Sequence, residues 1–114
     1  MPVTSHDEAK AKAGSQNELN YADALLFYKQ QFEQQYYIGV PGMRGTTSAD
    51  FVVFTAPRNV AVFVDGKYWH TVRNASEDQM KRAAAKKKFY VLEVSEAESA
   101  TVEIAKAHVR KNFL

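Results

Sequence analysis

Asp50, Asp65, Lys67 and His70 are the residues of this chain whose types and spacing could do chemistry. Asp50 opens the apolar run Asp50–Thr55. A second run, Val60–Asp65, follows a short Pro57-Arg58-Asn59 turn and leads into Asp65-Gly66-Lys67-Tyr68-Trp69-His70. Two adjacent strands would thus deliver carboxylates and an imidazole to their polar ends. Hydrolysis of a phosphodiester needs an activated water, a divalent cation to hold it and stabilisation of charge on phosphorus. Hard cations such as Mg²⁺ or Mn²⁺ take oxygen ligands and keep several waters, so one or two carboxylates suffice. Histidine is the side chain best suited to moving the proton near neutral pH.

Two geometries fit these residues. In one, Asp50 and Asp65 both bind metal and Lys67 polarises the water or the phosphate, an acid on one strand and acid-x-lysine on the next. In the other, Asp50 binds metal together with backbone near Val64, and His70 moves the proton with Asp65 in support. Each residue also has a plainer reading. Asp65-Gly66 is an ordinary hairpin-turn signal, Trp69-His70 a packed aromatic beside a satisfied imidazole, and Asp50 a strand start. Their joint occurrence is what favours a site.

The elements that must position these residues follow from periodicity. Met1 to Gln16 lacks apolar periodicity and reads as a flexible leader, with His6 an exposed bystander. Leu19, Ala22, Leu25, Leu26, Lys29, Phe32 and Tyr36 keep three-and-four spacing, which predicts one helix from about Asn17 to Tyr36, capped by Ser15 or Asn17. Lys29 would snorkel from the edge of that stripe, and Asp23 sits just beside it. Tyr37 to Ser48, with its Gly, Pro and Thr-Thr-Ser signals, reads as a loop, in which Arg44 could meet a phosphate or simply solvent. Strands are expected over Asp50–Thr55 and Val60–Asp65, both apolar enough to be covered on both faces. A helix of about Glu77–Lys87, a strand Phe89–Val94 and a helix from Glu96 to about Phe113 complete the chain, with His108 at the surface or a helix end. The strand–helix–strand stretch is long enough for a parallel pair beside the antiparallel hairpin. The expected fold is α/β, a mixed central sheet flanked by helices in the order α-β-β-(β)-α-β-α. Residues 1–16 form the leader and residues 17–114 a single domain.

At 114 residues, 46% hydrophobic and 25% charged, the chain has the composition of one folded domain with a modest core, which excludes a disordered polymer. No apolar run approaches a membrane span, and cysteine is absent, which excludes a thiolate zinc site and suits a reducing cytoplasm. Net charge is only +2, yet Lys67, Arg73, Lys81, Arg82, Lys86, Lys87 and Lys88 crowd a short region just after the candidate site. Taken alone, such a run is a solvated helix face; next to a hydrolytic site it suits phosphates.

The segments Ala49-Asp50-Phe51-Val52-Val53 and Val62-Phe63-Val64-Asp65-Gly66-Lys67-Tyr68-Trp69-His70 resemble the very short patch repair endonucleases. They are similar also to the nuclease domains of phage and intron homing endonucleases of the EDxHD group, within the PD-(D/E)xK restriction-endonuclease-like superfamily. The match runs from about Asp23 to Glu96, and its specific part is the Val-Asp-Gly-x-Tyr-Trp-His segment. The resemblance implies a restriction-endonuclease-like sheet and a Mg²⁺- or Mn²⁺-dependent DNA endonuclease. It makes Asp50 the metal-binding aspartate, Val64 the position whose backbone carbonyl joins the metal, His70 the catalytic histidine and Trp69 its aromatic neighbour. Asp23 falls where a first-helix glutamate is expected, with Glu18 about a turn and a half earlier and expected to face elsewhere. The final acid is Glu77 or Asp78. Repair members carry a histidine at the position of Asp65 and zinc-binding cysteines, both absent here, which argues for a stripped nuclease module rather than a mismatch-repair enzyme.

These readings lead to a phage or mobile-element endonuclease of a bacterial or phage-infected cytoplasm, with no membrane role. Arg44, Trp69, Arg73, Lys81 and Arg82 would contact DNA, and a homodimer or a fused or partner recognition module would supply specificity. The competing expectations are a catalytically inactive nucleic-acid-binding module of the same fold and a phage structural protein with an incidental basic patch.

Overall fold

Ser5, Ser15 and Thr101 stand in extended backbone at helix starts, and each side chain accepts a hydrogen bond from the N–H three residues on. Each thereby satisfies a donor that the first helical turn leaves open. The computed structural model describes residues 2–39, 46–64 and 83–114. In chain order these form α1 (His6–Lys12), α2 (Gln16–Phe27), β1 (Phe32–Gly39), β2 (Thr46–Val53), β3 (Val60–Val64), a helical stretch at 83–88 termed α3, β4 (Tyr90–Val94), a 3₁₀ turn (Ala97–Ser99) and α4 (Val102–Phe113).

The four strands form one mixed sheet in the order β1-β2-β3-β4. The pairs β1–β2 and β2–β3 are antiparallel, and β3–β4 is parallel from Val60↔Tyr90 to Val64↔Val94. The expected hairpin and its parallel neighbour are thus present, in a mixed α/β fold with helices flanking the sheet. One core cluster gathers Ala9 of α1, Tyr21 and Leu25 of α2, Phe32, Phe51, Val62 and Val94 of the sheet, and Ala105 and Val109 of α4. The other gathers Ile38, Ala49, Val52, Ala61 and Phe63 of the sheet under Ala84 and Ala85 of α3 and Phe89. Both faces are covered, which accounts for the unbroken apolar character of β3.

Four sequence expectations are corrected. The helix expected to reach Tyr36 ends at Phe27, because Lys29 adopts a left-handed φ of 55°. The N–H of Gln30 then bonds to the Leu25 carbonyl and that of Lys29 to the Leu26 carbonyl, at 2.9 and 3.0 Å. This is the Schellman arrangement, ordinarily built on glycine, so nothing in the residue types announced the stop. Lys29 is therefore a helix cap, not a snorkelling member of the stripe. Residues 32–39 are consequently a strand, and the region read as one loop over 37–48 contains the end of β1 and the start of β2.

The N-terminal stretch expected to be a flexible leader forms α1, buries Val3 and Ala9, and bonds Val3 N–H to the Phe32 carbonyl at 2.8 Å. It belongs to the same core as the rest of the chain. The last helix is also interrupted: the 3₁₀ turn precedes it, and Thr101 starts it afresh.

A left-handed conformation costs a side-chain-bearing residue about 1–2 kcal/mol. Lys29→Gly should therefore raise stability, by about 1 kcal/mol after allowance for the greater freedom of an unfolded glycine. Urea unfolding should show a higher midpoint with an unchanged slope; a lower midpoint would contradict the role of Lys29 as the cap.

Candidate active site

The β1–β2 hairpin changes face at Asp50. Its register runs through Phe32↔Val53 and Gln34↔Phe51, skips the position where Gln35 faces Asp50, and resumes at Tyr36↔Ala49. Phe32, Phe51 and Val53 pack in the core under α1, α2 and α4. Ala49 and Ile38, with Tyr36 against them, pack in the other core. Residues two apart on a regular strand share a face, so Phe51 and Ala49 on opposite faces require a local inversion. On β1 the same change falls between Gln34 and Tyr36, where Gln35 has a left-handed φ of 54°. Gln34 and Gln35 both reach the same helical layer: Gln34 Nε2 donates to the Ala9 carbonyl at 3.2 Å and Gln35 Nε2 to Glu18 at 3.4 Å.

At the same level β2 leaves β3. Their ladder runs from Val53↔Val60 to Phe51↔Val62, and continued regularly it would set Ala49 opposite Val64. Instead the Asp50 side chain enters, and its Oδ2 accepts a hydrogen bond from the Val64 N–H at 2.7 Å. In extended backbone the N–H and C=O of one residue project from the same edge of the strand. The Val64 carbonyl therefore lies on the Asp50 side of β3. Sequence reasoning paired Asp50 with backbone at Val64, and the structure brings these two together.

Asp23 and Glu18, the two acids of α2, turn to different neighbours. Asp23 Oδ1 lies 2.7 Å from His6 Nδ1, toward α1, so His6 is exposed but not a bystander. Glu18 is 8% exposed and points to Gln35, the residue facing Asp50. Five helical residues separate the two acids, a rotation of about 140°, so only one of them can face the sheet. The expectation that Glu18 faces elsewhere is reversed. Its signal in the sequence was the Ser15-x-x-Glu18 spacing, which marks a first-turn residue, together with Gly14. A Cβ at Gly14 would come within 2.7 Å of Glu18 Oε2, so glycine leaves the room that the buried carboxylate occupies.

Asp65, Lys67, Trp69, His70, Arg73, Glu77, Asp78, Lys81 and Arg82, and Arg44 of the earlier loop, lie outside the described residues. Of the basic run, Lys86, Lys87 and Lys88 are exposed at the end of α3. They lead into Tyr90, which pairs with Val60, so they stand at the end of the sheet away from Val64. Four residues of strand span about 13 Å, and these three lysines do not line the Asp50 mouth. Arg58 of the β2–β3 turn joins them there, donating to the Lys86 and Lys87 carbonyls and stacking over Tyr90 at 5.6 Å.

His108, expected at the surface, is a brace. Its Nδ1 meets the Tyr21 hydroxyl at 2.9 Å and its Nε2 meets Glu98 at 3.2 Å. Burial, and then the charge of Glu98, hold the Tyr21 phenol well above its ordinary range, so Tyr21 stays protonated and donates. Because the Tyr21 ring packs 5.9 Å from that of Phe51, the brace fixes α2 and α4 over the residue next to Asp50.

The Asp50 carboxylate and the Val64 carbonyl are oxygen donors of the kind a hard cation takes. Among the described residues no three His, Cys, Asp or Glu side chains converge as a ready-made metal cluster. Comparison with family models, with curated proteins and with solved structures finds no match to this chain. No helix among the described residues is long and apolar enough to cross a membrane.

Two stability predictions arise from this geometry. Asp50→Ala strands the Val64 N–H and should cost about 1–3 kcal/mol, whereas Asp50→Asn keeps an oxygen acceptor and should cost less. Equal urea midpoints for the two variants would show that the bond contributes nothing. Glu98 accepts from the Ser95 N–H at 2.9 Å, and this backbone bond, ahead of the smaller help from the Ser95 hydroxyl and His108, holds its carboxyl below the ordinary range. A depressed folded value stabilises the fold above the unfolded value of about 4.3 and loses that contribution as pH falls through the folded one. Glu98→Gln should flatten acid unfolding in that window, and an unchanged profile would assign acid sensitivity to other groups.

Proposed function

We propose that this protein is a divalent-metal-dependent DNA endonuclease, of the kind used by phages and mobile elements. The observation that carries the reading is the Asp50 carboxylate bonded to Val64 where β2 and β3 part, because it puts a carboxylate and the Val64 carbonyl on one side of a strand opening. The resemblance of the Asp50 and Val62–His70 segments to very short patch repair and EDxHD nucleases points the same way.

Asp50 and the Val64 carbonyl would hold Mg²⁺ or Mn²⁺, with Glu18, in place of Asp23, as the acid from the first helix. The cation would supply Lewis acidity and a bound water acidic enough to attack at neutral pH. Asp50 contributes negative charge fixed by its hydrogen bond, so little reorganisation is needed to receive a cation. His70 takes the proton in this reading, with Asp65 in support and Glu77 or Asp78 as the remaining acid. The orthodox alternative gives Asp65 to the metal and Lys67 to the phosphate. Trp69, Arg44, Arg73, Lys81 and Arg82 would meet DNA, positioning the backbone through charge.

The test is cleavage of supercoiled plasmid and of short duplexes with Mg²⁺ or Mn²⁺. The wild-type chain should nick DNA, chelator should stop it, and Asp50→Asn and His70→Ala should each reduce the rate at least about 100-fold. Salt-sensitive DNA binding without nicking under either cation would support the inactive binding module instead. Full activity in both variants would overturn the assignment of the site.

A further inference from the structure

We infer that Gln35 is a positioning residue of this site, holding the Glu18 carboxylate in register with Asp50 so that both acids can serve one cation. The inference rests on the endonuclease reading of the Asp50 site and adds to it a residue that touches neither metal nor DNA.

Three observations converge on Gln35. It adopts a left-handed φ of 54° without being glycine, a strained conformation for a residue with a side chain. Such strain persists where surrounding structure over-determines it, which marks the position for a possible role without defining one. The role comes from the second observation: Gln35 occupies the skipped rung directly across from Asp50. The third is its partner, the nine-tenths buried Glu18, whose Oε1 accepts from Gln35 Nε2 at 3.4 Å.

The geometry explains why glutamine and this backbone occur together. A regular strand would send Gln35 to the face opposite Gln34, away from α2. The inversion at φ 54° turns it toward the helical layer, where its carboxamide can donate to Glu18. A lysine or arginine there would neutralise the carboxylate and compete with a cation for it, whereas an amide orients it and leaves its charge intact. On the other side Gly14 keeps open the space that Glu18 Oε2 fills. Glu18 is thus bonded by Gln35, the residue across from Asp50, with space left to it beside Gly14. Residues that orient metal-binding side chains in this way change metal affinity when removed, typically 10–100-fold.

The experiment measures Mn²⁺ binding to the full chain by titration calorimetry, beside urea unfolding, with no cleavage readout. Gln35→Gly removes the amide and relieves the left-handed strain. It should fold at least as stably as wild type while binding Mn²⁺ 10–100-fold more weakly. Gln35→Asn tolerates the same backbone but is one methylene shorter, so it should match Gln35→Gly in binding. In a Glu18→Gln background, Gln35→Gly should cause no further loss, because Gln35 acts through Glu18. If Gln35→Gly and Gln35→Asn stay within twofold of wild type while Asp50→Asn and Glu18→Gln weaken binding, the Gln35 role is overturned and the metal site stands. An additive loss in the Glu18→Gln background, or full Mn²⁺ affinity in Glu18→Gln itself, overturns the coupling. If the wild type shows no Mn²⁺ binding that Asp50→Asn removes, the metal-site reading fails and the role of Gln35 falls with it.

Discussion

The bond from the Val64 N–H to the Asp50 carboxylate is the constraint around which this structure is arranged. A strand edge presents backbone donors that must be satisfied, and the ordinary partner is the next strand's carbonyl. Here β2 departs from β3 after Phe51↔Val62, and a side chain takes over the duty. The substitution lets two strands separate without stranding the Val64 N–H. It also turns a carboxylate inward, to a place where backbone oxygen is on the same side.

The inversion at Gln35 is the other half of the same device. Both strands of the hairpin pass from one core to the other at one level, and on β1 a left-handed residue, Gln35, marks the change. The residues flanking the inversion pack well: Phe32 and Phe51 lie 5.6 Å apart on one side, and Tyr36 and Phe89 lie 5.7 Å apart on the other. Aromatic contacts on both sides hold the inversion in place against its local cost. Gln35 and Asp50 consequently lie between two packed cores, where polar groups can approach without disrupting either.

The helices supply rigidity to this arrangement. Asn17 donates to the Glu96 carbonyl and to Ser99, and Asn20 to the Ser99 carbonyl, so the start of α2 is tied to the 3₁₀ turn that precedes α4. Tyr21, His108 and Glu98 extend the tie along the same interface. Buried polar networks are worthwhile only when their members are satisfied, and this one positions the helical segment that carries Glu18. The exposed Lys86, Lys87 and Lys88 of α3 stand at the other end of the sheet from Val64.

Local patterning was sufficient for the hairpin, its parallel neighbour β4 and the α2 apolar stripe up to Leu26, because alternation, apolar runs and caps are written in residue types. Spacing set Asp50 near the backbone around Val64 as one of two arrangements, and the folded chain joins them through the Val64 N–H. Local patterning did not show where α2 stops, because Lys29 and Gln35 carry left-handed backbone without being glycine, and residue identity is silent about φ there. Once that stop was missed, β1 was absorbed into the helix, and Glu18 and Asp23 could not be assigned to faces. Only the tertiary structure decided which of those two acids faces the sheet, because a helix has no inward face until it is docked. α1 takes up Asp23 through His6, and the sheet, through Gln35, takes Glu18.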